Sequence, residues 1–187
     1  LGWRGIRLTL DHPEIFLVQI RAMLRANIGL NNLQIMLPMI STVSEVVEAK
    51  RLINQAFLEV SDEASGSDNV ISRPKLGIML EVPSVLYQLP QLAKYVDFFS
   101  VGSNDLTQYL LAVDRNNTRV ASLYNSYHPS VLGALYDIVQ KANASQTPVT
   151  ICGEIAGEPA GALLLMGMGY RRLSMNGFNL RKINWLL

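Results

Sequence analysis

Five times along this chain a short apolar run ends in polar residues and gives way to a stretch with helical spacing. Nowhere do two such runs meet through a hairpin turn. Strands joined this way must lie parallel, because a parallel pair needs a long crossover, usually a helix, where an antiparallel pair needs only a tight turn. The five runs are residues 33–36, 75–80, 97–101, 148–151 and 172–175. Helices are expected over 12–27, from Thr42 through Phe57, over 83–94, from 103 onward, over 128–144, over 158–168 and from Leu180. Thr42 with Glu45 three residues later has capping-box spacing, and Pro83 and Pro129 suit helix starts. The polar, Gly/Ser-rich stretch 61–74 reads as a surface loop and 114–127 as a long loop.

Repeated strand–helix units leave two architectures, a doubly wound sheet or a (β/α)8 barrel. No Gly-rich dinucleotide turn is present, and polar groups end nearly every strand, not only those at one switch point. That favours a barrel, whose sites are assembled from several strand ends on one rim. A complete barrel needs roughly 250 residues and eight units. Five units in 187 residues, opening on Leu1-Gly2-Trp3-Arg4 as if in mid-loop, therefore read as part of an α/β (β/α)8 TIM barrel, about five of its βα units.

The rim is where chemistry is expected. The apolar run ending at Val101 meets Gly102, then Ser103-Asn104-Asp105, then Leu106, Tyr109, Leu110 and Val113 at helical spacing. This is strand, tight turn, helix, with Ser103 as the expected N-cap. Glu81 ends the preceding strand, so Glu81 and Asp105 are neighbours in a parallel barrel. Two carboxylates without nitrogen or sulfur partners suit Mg2+ or Mn2+. Arg115 lies in the loop beyond the short helix, where it can fold back over the rim, and Arg4 stands near the chain start. An arginine beside a divalent cation serves a phosphate or carboxylate substrate. Cys152 ends another strand, where a thiol can act as nucleophile or acid. His12 and His128 both precede proline at helix starts and read as structural.

Composition excludes several classes. The net charge is +1 and the basic residues are scattered, so no field toward nucleic acid is implied. A single cysteine excludes an internal disulfide framework and fits a cytoplasmic protein. No apolar run reaches membrane-spanning length, so no membrane insertion is expected.

The motifs Glu81-Val82-Pro83-Ser84, Gly102-Ser103-Asn104-Asp105-Leu106-Thr107-Gln108-Tyr109, Leu111 to Arg115, His128-Pro129 and Cys152-Gly153-Glu154-Ile155-Ala156-Gly157-Glu158-Pro159 carry a resemblance. They are similar to the phosphoenolpyruvate-binding barrel of enzyme I of the bacterial phosphotransferase system, with pyruvate phosphate dikinase and phosphoenolpyruvate synthase as wider relatives. The resemblance spans essentially the whole chain and makes residues 1–187 the C-terminal part of that barrel domain. It implies that Glu81 and Asp105 hold Mg2+ and that Asn104, Asp105 and Arg115 hold the phosphoryl group. Arg4 would meet the substrate's anionic end, and Cys152 would protonate the enolate carbon. It also implies transfer of the phosphoryl group to a histidine on a separate domain, relay to a histidine phosphocarrier protein, release of pyruvate, and a homodimer formed through this domain. Ser103 stands where the usual motif has Thr, and Asn116 where it has Gly; this pattern leans toward the nitrogen-related branch rather than the sugar branch. The rivals are a dikinase- or synthase-like enzyme, a Mg2+-dependent pyruvate lyase or aldolase on the same barrel, and a non-catalytic assembly module.

Overall fold

The computed structural model describes residues 1–64 and 71–186. Four strands form one parallel sheet: β1 (Gln34–Leu37), β2 (Lys75–Leu80), β3 (Phe98–Gly102) and β4 (Val149–Cys152), each beside the next in sequence order. The fifth expected strand, 172–175, is reduced to one bridge between Ile151 and Leu173. Leu173 has only polar residues on either side, and the chain enters its last helix at Gly177, so no apolar run remains to extend the ladder.

Nine helices are described among these residues: α1 (Ile6–Asp11), α2 (Pro13–Ala26), α3 (Val43–Ala64), α4 (Leu89–Leu92), α5 (Ser103–Leu111), α6 (Pro129–Ala144), α7 (Glu154–Gly157), α8 (Pro159–Met168) and α9 (Gly177–Leu186). α1 follows the loop-like start and fills residues before His12 for which no element was expected. The end of α3 occupies 61–64 of the expected 61–74 loop, 65–70 lie outside the described residues, and 71–74 have no regular structure. Glu45 accepts the Ser41 and Thr42 backbone N–H groups at 2.6 and 2.8 Å, so the capping reading at α3 holds in substance.

The expected helix 83–94 is broken into a 3-10 turn, Pro83–Tyr87, and the single turn α4. Pro90 is the cause. It has no N–H to offer the Leu86 carbonyl four residues back, and Lys141 of α6 donates to that carbonyl instead at 2.8 Å.

Side chains alternate across the sheet as strand geometry requires. Ile35, Leu37, Leu76, Ile78, Leu80, Phe99, Val101, Val149 and Ile151 are buried on the helix side and form the core with Leu52, Ile53, Leu89, Leu92, Leu135 and Ile138. Apolar burial on this scale, at roughly 1.5–3 kcal/mol for each large side chain, is the main force holding the units together. The hydroxyl of fully buried Tyr170 donates to Leu135 O at 2.8 Å. The other sheet face carries Met36, Gly77, Met79, Phe98, Ser100, Gly102 and Cys152, with Met36↔Gly77↔Phe98 in one row. A side chain at 77 would strike the Phe98 ring, so glycine there lets the aromatic lie across the sheet.

Candidate functional site

At the C-terminal ends of the strands the inward face closes on a row of three residues. Gly102 is the register partner of Cys152. Glu81 follows Leu80, the partner of Val101, and so flanks Gly102 on the other side. A Cβ on Gly102 would lie 2.9 Å from Glu81 Oε2 and 3.0 Å from Met79 Sδ. Glycine in the middle of the row is therefore what gives the Glu81 carboxylate its room.

Glu81 is 1 % exposed, and its Oε1 accepts the Met39 N–H at 2.6 Å. Burial pushes its carboxyl above the usual range. The Met39 bond opposes that shift, and the charge of Asp105, within hydrogen-bonding reach, adds to it. Two carboxylates so close are electrostatically uncomfortable without a proton or cation between them. Asp105, in the first turn of α5, is also paired with Arg4, whose Nη2 stands 3.1 Å from Asp105 Oδ2. Among the described residues no cluster of three or more His, Cys, Asp or Glu forms a metal cage. The donor set is thus the pair alone, which suits a hard cation that keeps most of its coordination for water and substrate oxygens.

Asn104 Oδ1 accepts the Glu154 N–H at 3.2 Å, and the Tyr124 hydroxyl lies 3.5 Å away. With the oxygen bound to donors, the amide Nδ2 is the end left to donate to a ligand. The Cys152 sulfur donates to Val101 O at 3.3 Å. Burial raises the thiol pKa, a bond with Ser100 opposes this, and the Glu81 and Asp105 charges add to the rise. This thiol is held protonated, the state of an acid rather than of a thiolate nucleophile. A cleft of about 440 Å3 opens beside it, lined by Asn104, Cys152, Glu154, Glu158 and Asn179 among others. Its wall is braced by Tyr127, which donates to Glu158 at 2.5 Å; burial and that carboxylate push the phenol pKa up to about 12.

Five of the six sequence-derived site residues, Arg4, Glu81, Asn104, Asp105 and Cys152, meet at this rim. Arg115 does not. It is exposed on the loop that leaves α5 through Ala112 in the left-handed region (φ 52°), and its backbone N–H donates to Gln108 Oε1 at 3.2 Å. Its side chain forms no ion pair among the described residues. Ser103 is not the helix cap: Gly102 holds that position, and the Ser103 hydroxyl donates across the sheet to Cys152 O at 2.6 Å. His12 and His128 precede α2 and α6; His128 Nδ1 accepts the Ser130 N–H at 3.2 Å, a capping role. Met39, Ser103 and Tyr124 were not legible as site residues. The only sequence signal was Ser103's place beside Asn104-Asp105.

The whole chain, residues 1–187, matches the family described as PEP-utilising enzyme, PEP-binding domain. It is 56 % identical to a phosphoenolpyruvate-dependent phosphotransferase system protein of Salmonella typhimurium over all of this chain and 25 % of that protein. It is 44 % identical to a phosphoenolpyruvate-protein phosphotransferase of Haemophilus influenzae over all of this chain and 32 % of that one. The chain thus spans between about a fifth and a third of the length of the relatives it matches. Among solved structures it is similar to a citrate lyase of Burkholderia xenovorans, with TM-score 0.66 and 21 % identity over 91 % of this chain and 53 % of that one. It is also similar to a pyruvate kinase of Cryptosporidium parvum, with TM-score 0.57 and 14 % identity over 84 % of this chain and 30 % of that one. At such identities the likeness concerns the fold, and the α/β arc is part of a (β/α)8 barrel.

Proposed function

The chain belongs to the family of PEP-utilising enzymes, as their PEP-binding domain, and on that premise we propose that it forms the phosphoenolpyruvate site of a phosphoenolpyruvate-protein phosphotransferase. In this reading the phosphoryl group passes from the enol oxygen of phosphoenolpyruvate to a histidine nitrogen on another domain. A P–O bond breaks, an N–P bond forms, and the electron pair left behind makes the enolate of pyruvate. Asn104 Nδ2 donates to a phosphoryl oxygen. Arg115 swings in from its loop to the equatorial oxygens, where a guanidinium best matches spreading charge. Arg4 serves the substrate's anionic end. Cys152 then gives its S–H proton to the methylene carbon: the S–H bond breaks, a C–H bond forms, and the thiolate recovers a proton from water.

Glu81 and Asp105 would hold Mg2+, which when bound supplies positive charge against phosphoryl and carboxylate oxygens. The fit rests on the donor set. Glu81 keeps Oε2 free of the Met39 bond, and the crowded carboxylate pair favours a cation. The wider reading includes relay to a histidine phosphocarrier protein, a homodimer, a cytoplasmic setting and the nitrogen-related branch. The exposed Phe178, Leu180 and Trp185 of α9 support association through this domain. The Gly102-Ser103-Asn104-Asp105 and Asp114-Arg115-Asn116-Asn117 patterns support the branch. Among the described residues no helix is long and apolar enough to cross a membrane.

One observation carries the proposal: the rim row in which a protonated thiol and a buried carboxylate flank Gly102. The test uses the intact protein with phosphoryl-labelled phosphoenolpyruvate and Mg2+. Label on a histidine with equimolar pyruvate is expected without any nucleotide. Cys152→Ala should keep the labelling and slow pyruvate formation at least ~100-fold, the usual scale for a lost general acid. A requirement for ATP would favour the dikinase or synthase reading. Cleavage of a 2-oxo acid without labelling would favour a lyase.

A further inference from the structure

Cys152 closes β4, opposite Gly102 at the last pair of the β3–β4 ladder. Past that pair β3 turns into α5, and the turn that follows the thiol has no ladder to hold it. We propose that Ser103 takes over this task and is the positioning residue for the Cys152 proton transfer; the proposal rests on the phosphoenolpyruvate reading above.

Ser103 is 1 % exposed, and it has given up the helix-capping role its type and place favour. Its hydroxyl donates to the carbonyl of Cys152 at 2.6 Å, a short bond for a neutral pair. The thiol of the same residue donates to Val101 O at 3.3 Å. Cys152 is thus gripped on its backbone by Ser103 and on its side chain by Val101, two residues apart on one neighbouring strand end.

The next residue supports the same reading. Gly153 has φ 104° and ψ 177°, a conformation open essentially to glycine alone. A Cβ there would lie 2.1 Å from Ser103 Oγ and 2.9 Å from Asn104 Oδ1. The turn after the thiol is therefore pressed directly onto Ser103 and Asn104, and it has no side chain because those two occupy the space. Asn104 Oδ1 then takes the Glu154 N–H at 3.2 Å. One turn of α5 consequently holds two things in fixed relation: the amide that would meet the phosphoryl group and the acid that would meet the carbon. A buried hydroxyl must find a partner, and the one Ser103 takes is the backbone of the acid itself.

The distinguishing readout is the face on which the enolate is protonated. Phosphoenolpyruvate stereospecifically deuterated at its methylene carbon is turned over by the intact protein in tritiated water. The chirality of the pyruvate methyl group is then determined beside the rate of phosphohistidine formation. The unaltered protein should give a chiral methyl. Ser103→Ala should form phosphohistidine at nearly the normal rate while pyruvate formation falls about 10- to 100-fold, the scale of an acid displaced by about 1 Å. Its methyl should be racemic, because the enolate would now be protonated from water. Ser103→Thr, which keeps the hydroxyl, should restore rate and chirality. Ser103→Cys, of similar volume and weaker donor strength, should fall between, and it decides the matter should the alanine variant not fold.

A chiral methyl at the normal rate from Ser103→Ala overturns the proposal. So does a parallel fall of phosphohistidine and pyruvate, which would make Ser103 a support of the whole site. Absence of phosphohistidine with the unaltered protein overturns the reading it rests on, and the proposal with it.

Discussion

Replacing Glu81 by Gln should make this chain more stable while removing the Mg2+ dependence proposed for it. Glu81 is buried and its carboxyl pKa is raised, by burial first and by the Asp105 charge as well. A glutamine keeps the acceptor for the Met39 N–H. It also turns the meeting with Asp105 from two like charges into an amide donating to a carboxylate. A hydrogen bond to a charged group contributes about 1.5–3 kcal/mol. Taking the lower figure, the melting temperature of a chain this size should rise by about 3–6 °C. The sign of the pH dependence follows from the raised pKa. A carboxyl that holds its proton more tightly when folded favours the fold at low pH, and that contribution is lost as pH rises through the folded pKa. The gain from Gln should therefore be full at about pH 8 and vanish below the ordinary carboxyl value of 4.5, where Glu81 is itself protonated. The assay is calorimetric melting of both proteins in EDTA at about pH 8 and about pH 4. No gain at the higher pH, or an equal gain at both, would refute the account of Glu81 as a strained buried charge.

Gly153→Ala should cost about 2–4 kcal/mol in urea unfolding, because alanine must adopt a positive φ and its Cβ meets Ser103 Oγ; a change under about 1 kcal/mol would show that the turn relaxes freely. Asn104→Asp keeps the acceptor for Glu154 N–H but replaces the free amide donor by negative charge. Phosphoenolpyruvate affinity should fall by roughly 10- to 100-fold, on the scale of a lost charge-assisted bond, with little change in melting temperature; unchanged affinity by calorimetric titration would remove Asn104 from the site.

Much of this was readable from sequence because a parallel arc places what each run of residues declares. The Lys75–Leu80 strand was read at the bounds it has, and strands consecutive in sequence proved to be neighbours in the sheet. The meeting of Glu81 with Asp105 follows from those two facts alone. What escaped were contacts without periodicity. The Met39 N–H reaches Glu81 across 42 residues, from a left-handed backbone (φ 62°) that Leu37-Pro38-Met39 does not announce. Ser103 reaches Cys152 across 49 residues, and local preference pointed it to the wrong task, that of a cap. The broken helix after Pro83 was foreshadowed by Pro90, whose missing N–H should have outweighed the apolar spacing around it. Arg115 was expected over the rim; sequence gives a loop's length but not its resting direction, and the side chain stands exposed with its charge reaching Tyr124 beside Asn104.

The sheet order β1-β2-β3-β4 bears on how the chain is made. Each of β2, β3 and β4 pairs with the strand that precedes it in sequence, so this arc can grow in one direction as the polypeptide leaves the ribosome, at roughly 5–20 residues per second. Arg4, Glu81, Asp105 and Cys152 arrive in that order. The carboxylates are in place well before the Cys152 turn settles against Ser103. During that interval the nascent arc presents a charged rim and a bare β3 edge, the stage at which it is most open to wrong partners.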